Sequence, residues 1–88
     1  MEVVFKDKAL RDLKYWKKSG NKQVQKKISE LIVDIQKHPE TGLGKPEALK
    51  YDLSGMWSRK INDEHRLTYN IEGNVINIAS LRGHYFDK

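Results

Sequence analysis

Leu67-Thr68-Tyr69-Asn70-Ile71-Glu72-Gly73-Asn74-Val75-Ile76-Asn77-Ile78 is the stretch that decides the fold class. Leu67, Tyr69 and Ile71 alternate with Arg66, Thr68 and Asn70, the period of two that sends successive side chains to opposite faces of a strand. Glu72-Gly73-Asn74 reads as a hairpin turn, and residues 75–82 read as the returning, last strand. Immediately upstream, residues 56–61 read as another strand, joined through a turn at Asn62-Asp63-Glu64. The second half of the chain is therefore expected to be a three-stranded antiparallel meander.

The first half has a different period. After a short β-like run at Val3, Val4 and Phe5, Asp7 offers an N-cap, and Ala9, Leu10, Leu13 and Trp16 recur at helical spacing. Gly20 can end that helix in a left-handed conformation, and Asn21 can cap the next. Val24, Ile28, Leu31, Ile32 and Ile35 form one apolar stripe, with Lys22, Lys26, Glu30 and Lys37 elsewhere. His38-Pro39 stops this second helix, because the residue before proline avoids the helical region. Residues 40–50, with Gly42, Gly44 and Pro46, read as a loop. The expected architecture is one α+β domain over residues 1–88: an N-terminal strand, two helices, then the meander, in one twisted sheet covered on one face.

Eighty-eight residues leave no room for a second core, and 38% apolar content suffices for a modest one. The chain lacks cysteine, so neither disulfides nor thiolate chemistry enter. No apolar run approaches the ~20 residues of a membrane span. Met1-Glu2-Val3-Val4-Phe5-Lys6 does not resemble a signal peptide, and the default expectation is a cytoplasmic protein with no membrane partner. The formal net charge is +5 and it is unevenly placed. Residues 1–50 hold 12 Lys and Arg against 7 Asp and Glu, whereas residues 51–88 hold 5 of each. The crowding around Lys14, Lys18, Lys22 and Lys26 is the electrostatic footprint of polyanion binding, although a merely solvated helical face has the same composition.

Four residues could carry chemistry. The carboxylate of Glu47 can take a proton from a ribose 2′-hydroxyl, and the imidazolium of His84 can give one to a leaving 5′-oxygen. The guanidinium of Arg66 can neutralise charge building on phosphoryl oxygens. Tyr85 offers a flat face for a base. Alternation sends Arg66 away from the helices, on the sheet face open to ligand. The loop bearing Glu47 and Lys50 can fold toward that face, and His84-Tyr85, just past the last strand, can reach the same rim. Taken singly, Glu47 also fits a solvated loop acid, His84-Tyr85 a frayed tail and Arg66 a strand-surface charge. Gly42-Leu43-Gly44-Lys45 is not a phosphate loop, since Pro46 stands where Ser or Thr is required. His38, His65 and His84 match no metal-ligand spacing, so neither metal nor cofactor is expected. Trp16 and Trp57 read as packing residues.

Several motifs together resemble the YoeB/Txe family of toxins, within the wider RelE-type group of bacterial toxin–antitoxin systems. They are Lys45-Pro46-Glu47-Ala48-Leu49-Lys50, Leu53-Ser54-Gly55-Met56-Trp57-Ser58-Arg59-Lys60-Ile61, Glu64-His65-Arg66-Leu67-Thr68-Tyr69 and His84-Tyr85. The resemblance implies a small RelE-like nuclease fold that cuts messenger RNA on the translating ribosome without a metal. It also implies a cognate antitoxin whose C-terminal segment wraps the toxin, and a possible homodimer. Carried over by position, Glu47 is the general base, His84 the general acid, Arg66 the stabiliser of the transition state and Tyr85 the nucleotide-positioning ring. Lys50, Arg59 and Lys60 are expected to hold phosphates, and Lys14, Lys18, Lys22 and Lys26 to face the ribosome. Lys60 stands where an arginine is common, which keeps the charge but loses the bidentate fork. Phe86-Asp87-Lys88 follow the tyrosine at which some members end, so no terminal carboxylate of Tyr85 exists here. A non-cleaving RNA- or ribosome-binding inhibitor of translation is the alternative reading.

Overall fold

Five strands line up in the order β1-β5-β4-β3-β2 in a computed structural model that describes residues 1–83. The chain runs β1 (Glu2–Phe5), α1 (Asp7–Ser19), α2 (Lys22–Lys37), β2 (Glu47–Ala48), a 3₁₀ turn (Tyr51–Leu53), β3 (Met56–Lys60), β4 (Arg66–Glu72) and β5 (Val75–Ser80). The meander stands as expected, with Trp57 opposite Tyr69 and Ile71 opposite Ile76. Two pairings enlarge the sheet beyond it. β1 lies parallel to β5, with Phe5 opposite Ile78, so the sheet is mixed. Residues 40–50 are not all loop, since Glu47 and Ala48 pair antiparallel with Ser58 and Trp57.

Local chemistry explains the helix boundaries. Gly20 adopts φ 73°, the left-handed region where a residue without Cβ is unstrained, and its N–H donates to Lys17 O. The Asn21 side chain accepts from Val24 N–H at 3.1 Å and starts α2. Asp7 is not the cap expected of it. It is the first helical residue after Lys6, where its charge still suits the positive end of the helix dipole. Leu10 likewise does not join the core: it is 45% exposed, and Asp12 takes the buried position on that stripe.

One face of the sheet is the core. Leu67, Tyr69, Ile76, Ile78 and Leu81 close against Ala9 and Trp16 of α1 and Val24, Ile28, Leu31 and Ile35 of α2. Each fully buried aliphatic side chain contributes about 1.5–3 kcal/mol, so this cluster is the main source of cohesion. A β-bulge at Ala79 completes it. Thr68 faces Ser80 while Tyr69 faces Ile78, leaving Ala79 unpaired. The extra residue resets the alternation, so that Leu81 turns inward and is fully buried. No helix of the described residues is long and apolar enough to cross a membrane.

Candidate active site

The face of the sheet turned away from the helices carries a polar band across its middle strands. Register puts Glu47, Ser58, Thr68 and Ser80 in one row across four strands, because each directly faces the next. Thr68 and Ser80 hydroxyls are 2.6 Å apart. Ser58 and Thr68 are short side chains low in the surface, 2% and 7% exposed. They form a hydroxyl-lined floor flanked by longer side chains.

The next row holds Lys60 directly opposite Arg66. Like charges facing each other across a strand pair are destabilising. No helix among the described residues covers this face, so two neighbouring cations there can meet an anion. Lys60 is partly neutralised by Asp63, 2.8 Å from its ammonium, and that bond lowers the Asp63 carboxyl below its usual range. Asp63 is almost fully solvated, so the pair holds Lys60 loosely and an incoming phosphate can displace it. Glu47 and Arg66 are two strands and two residues apart, about 12 Å between Cα positions on ideal sheet spacings. Their long side chains can converge across that gap on a phosphodiester lying over the hydroxyl floor. Lys50 is exposed three residues past Glu47, next to Tyr51, which is 90% exposed.

Arg59 does not belong to this site, contrary to the sequence expectation. Strand alternation sends it to the opposite face from Lys60, where it is fully buried. All five of its N–H donors are used. Nε donates to Tyr69 Oη at 3.1 Å, and Nη1 to Asp34 Oδ2 at 2.6 Å and Leu43 O at 3.0 Å. Nη2 donates to Thr41 O at 2.8 Å and to His38 O. The Tyr69 hydroxyl in turn donates to Pro39 O at 2.7 Å. A guanidinium has five donors, so none remains for a phosphate. Arg59 instead staples residues 38–43 to the sheet. Gly44 O accepts from Lys60 N–H at 2.7 Å just beyond. The chain then reaches β2, and Glu47 emerges on the open face.

Two expected results follow from this staple. Gly42 has φ 103°, and a Cβ there would come within 2.1 Å of Asp34 Oδ2. Gly42→Ala is therefore expected to lose more than about 1 kcal/mol in denaturant unfolding. The Asp34 carboxyl is held below its ordinary value of 3.8, first by the Leu43 N–H and then by Arg59. Its folded value lies below its unfolded one, so its stabilisation is present above the ordinary value and is lost as pH falls through the depressed one. Asp34→Asn should be less stable at neutral pH and lose less further stability between roughly pH 5 and pH 2. An unchanged acid limb would remove Asp34 from this role.

Lys14, Lys18, Lys22 and Lys26 are all exposed on the helices that cover the other face of the sheet. Trp16 is a packing residue, as expected, with its indole N–H on Leu81 O at 2.9 Å. His84 and Tyr85 lie outside the described residues. The sequence reading missed the hydroxyl row at Ser58, Thr68 and Ser80. The alternation that placed Arg66 on the open face also held the signal that Arg59 and Lys60 point opposite ways.

A two-helix layer on a mixed five-stranded sheet is the architecture of the RelE-like toxins. The YafQ toxin of Escherichia coli shares the fold with a TM-score of 0.78 over 94% of this chain and 92% of its own, at only 13% identity. The chain belongs to the YoeB family of toxins of bacterial type II toxin–antitoxin systems, whose family model matches residues 5–85. It is 44% identical to toxin YoeB of Escherichia coli K12, over 97% of this chain and all of that one. Toxin YoeB of Streptomyces coelicolor is 45% identical over the same shares. A solved YoeB/ParE toxin from Agrobacterium tumefaciens superposes with a TM-score of 0.92 at 36% identity, over 97% of this chain and all of that one.

Proposed function

We propose that this toxin is a ribosome-dependent endoribonuclease that cuts messenger RNA by metal-free acid–base chemistry. The observation that carries the reading is the cross-strand pair Lys60 and Arg66 beside Glu47 over a hydroxyl floor. Glu47 removes the proton from a ribose 2′-hydroxyl, whose oxygen attacks the adjacent phosphorus. Arg66, with Lys60 and Lys50, neutralises the charge that grows on the phosphoryl oxygens. The bond to the 5′-oxygen breaks as His84 supplies that oxygen with a proton, leaving a 2′,3′-cyclic phosphate and a 5′-hydroxyl. Tyr85 stacks on the nucleotide at the cut.

An 88-residue domain with a shallow site orders a flexible RNA poorly. A ribosome that already fixes the message removes that cost. The exposed lysines of the helices are the surface this reading assigns to ribosomal RNA. Charge reversal of Lys14, Lys18 and Lys22 together should weaken ribosome co-sedimentation at least tenfold and shift the melting temperature little. Unchanged co-sedimentation would remove that surface from the mechanism. A YoeB of Staphylococcus aureus, 43% identical, has been solved as a dimer and in a heterotetrameric complex with the antitoxin YefM. An antitoxin partner and self-association are proposed for this chain on that basis.

The deciding experiment is translation of one defined message in a purified system, with cleavage ends mapped with and without ribosomes. Cuts with 2′,3′-cyclic ends that require ribosomes are expected. Arrested translation with an intact message would replace the nuclease by a non-cleaving inhibitor.

A further inference from the structure

The three residues after β5 have left the sheet, yet five of their six backbone polar groups are held by groups distant in sequence. Leu81 N–H donates to Asp12 Oδ2 at 2.9 Å, and Leu81 O accepts from the Trp16 indole at 2.9 Å, both buried. Arg82 O accepts from the Lys8 ammonium at 3.2 Å, which also bridges to Asp12 at 2.8 Å. Gly83 O accepts from Arg66 N–H at 3.0 Å, and Gly83 N–H donates to His65 Nδ1 at 2.9 Å. The His65 ring stands edge-on to Trp16, with centroids 4.9 Å apart and planes at 84°. Helix α1 grips the segment from one side, and the entry to β4 grips it from the other.

The chemistry of this grip is specific. Asp12 is a carboxylate only 5% exposed, a placement that acids take only when paired. Its pairs here are a lysine and the Leu81 amide, so its burial serves the segment. His65 accepts at Nδ1, which fixes the neutral tautomer with its proton on Nε2. A ring protonated on both nitrogens would turn a donor toward the Gly83 N–H. Gly83 sits at φ 88°, where a residue without Cβ is favoured. Its two hydrogen bonds run to consecutive residues, His65 and Arg66, and Arg66 is itself one of the cations of the open face.

We propose that His65, with Asp12 and Trp16, is a positioning residue that sets the register of the chain at Gly83, the residue preceding His84. Its unprotonated Nδ1 is the acceptor that does so. The inference rests on the nuclease reading for its consequence in catalysis and on hydrogen-bond geometry for its mechanism. Displacing the chain by about 1 Å is enough to cost on the order of 10²-fold in rate when a proton donor must meet a leaving oxygen.

Two variants of the full chain test it. His65→Leu and His65→Asn both lose the ring that packs on Trp16, but only asparagine returns an acceptor at the position of Nδ1. In His65→Leu, Gly83 amide hydrogen exchange should accelerate at least tenfold. Single-turnover cleavage on ribosomes should fall 10- to 100-fold with half-saturation unchanged. In His65→Asn both should return to within about threefold of the wild type. Unchanged Gly83 exchange in His65→Leu overturns the clamp, and faster exchange with undiminished cleavage overturns its catalytic role. Equal impairment of the two variants overturns the acceptor in favour of ring packing. A wild-type protein that does not cut refutes the nuclease reading and with it the catalytic consequence, and Gly83 exchange then decides the clamp alone.

Discussion

Glu47→Gln is expected to reduce ribosome-dependent cleavage by about 10²–10⁴-fold, the span that a positioned general base contributes. Glutamine keeps the size of the side chain and its capacity to accept hydrogen bonds, but it cannot take up the 2′-hydroxyl proton. Glu47 is exposed on a two-residue edge strand, so the substitution leaves the hydrophobic core untouched. Ribosome binding should also survive, because the lysines assigned to it lie on the helices of the opposite layer. The pattern to look for is a loss confined to the chemical step: cleavage rate down, half-saturation unchanged. If Glu47→Gln cuts as fast as the wild type, the carboxylate is not the base. The two cations with the hydroxyl floor would then act only by binding.

This pattern separates two ways in which a basic toxin can stop translation. Binding alone needs the lysines and the Lys60–Arg66 pair, and it tolerates loss of a carboxylate, which would if anything lessen repulsion of RNA. Cleavage needs the carboxylate to be within reach of the same phosphate that the cations hold. The register supplies this reach: Glu47 opposite Ser58, Ser58 opposite Thr68, and Arg66 two residues along the same strand. Side chains placed by strand pairing are held more firmly than side chains on a loop, and a proton transfer requires that firmness.

How much of this was legible in the sequence depended on whether the governing interactions were local. Alternation through residues 66–71 and the stop at His38-Pro39 are local, and both elements appeared where they were expected. The pairing of β1 with β5 is not local. Val3, Val4 and Phe5 announce a strand but nothing in them names a partner 73 residues away. β2 escaped notice because two residues cannot display a period, and its pairing is decided by the loop that delivers it. That loop is fixed by Arg59, whose burial has no signal in composition because a buried arginine is exceptional. Alternation carried the hint, since consecutive residues of a strand cannot both face one phosphate. Leu10 is exposed where the helical period expected it in the core, and Asp12 is buried instead, for the same reason. The carboxylate is buried for the sake of the Leu81 amide, a contact across 69 residues that helical periodicity cannot reveal.

Arg59→Leu is expected to cost on the order of 3–5 kcal/mol of stability, because it removes one partner of a buried ion pair and leaves the others unsatisfied. The carbonyls of His38, Thr41 and Leu43, the Asp34 carboxylate and the Tyr69 hydroxyl would each lose the Arg59 donor at once, and among the described residues only Asp34 and His38 O keep another, from Leu43 N–H and Thr41 N–H. For a domain of this size that corresponds to a drop in melting temperature of roughly 12–40 °C, measurable by circular dichroism. Arg59→Lys should recover little, since a single ammonium has three donors and no planar fork to span five acceptors on three segments. A phosphate-binding arginine would behave in the opposite way. Its replacement by leucine would leave the melting temperature alone and raise half-saturation for the ribosome-bound message, and lysine would restore much of the binding. The two outcomes differ in kind, so one melting curve for each variant separates a staple from a ligand. If the staple holds, loss of cleavage in an Arg59 variant reports misplacement of β2 and Glu47, and should be reversed by whatever restores the fold, including an uncharged stabiliser such as sucrose.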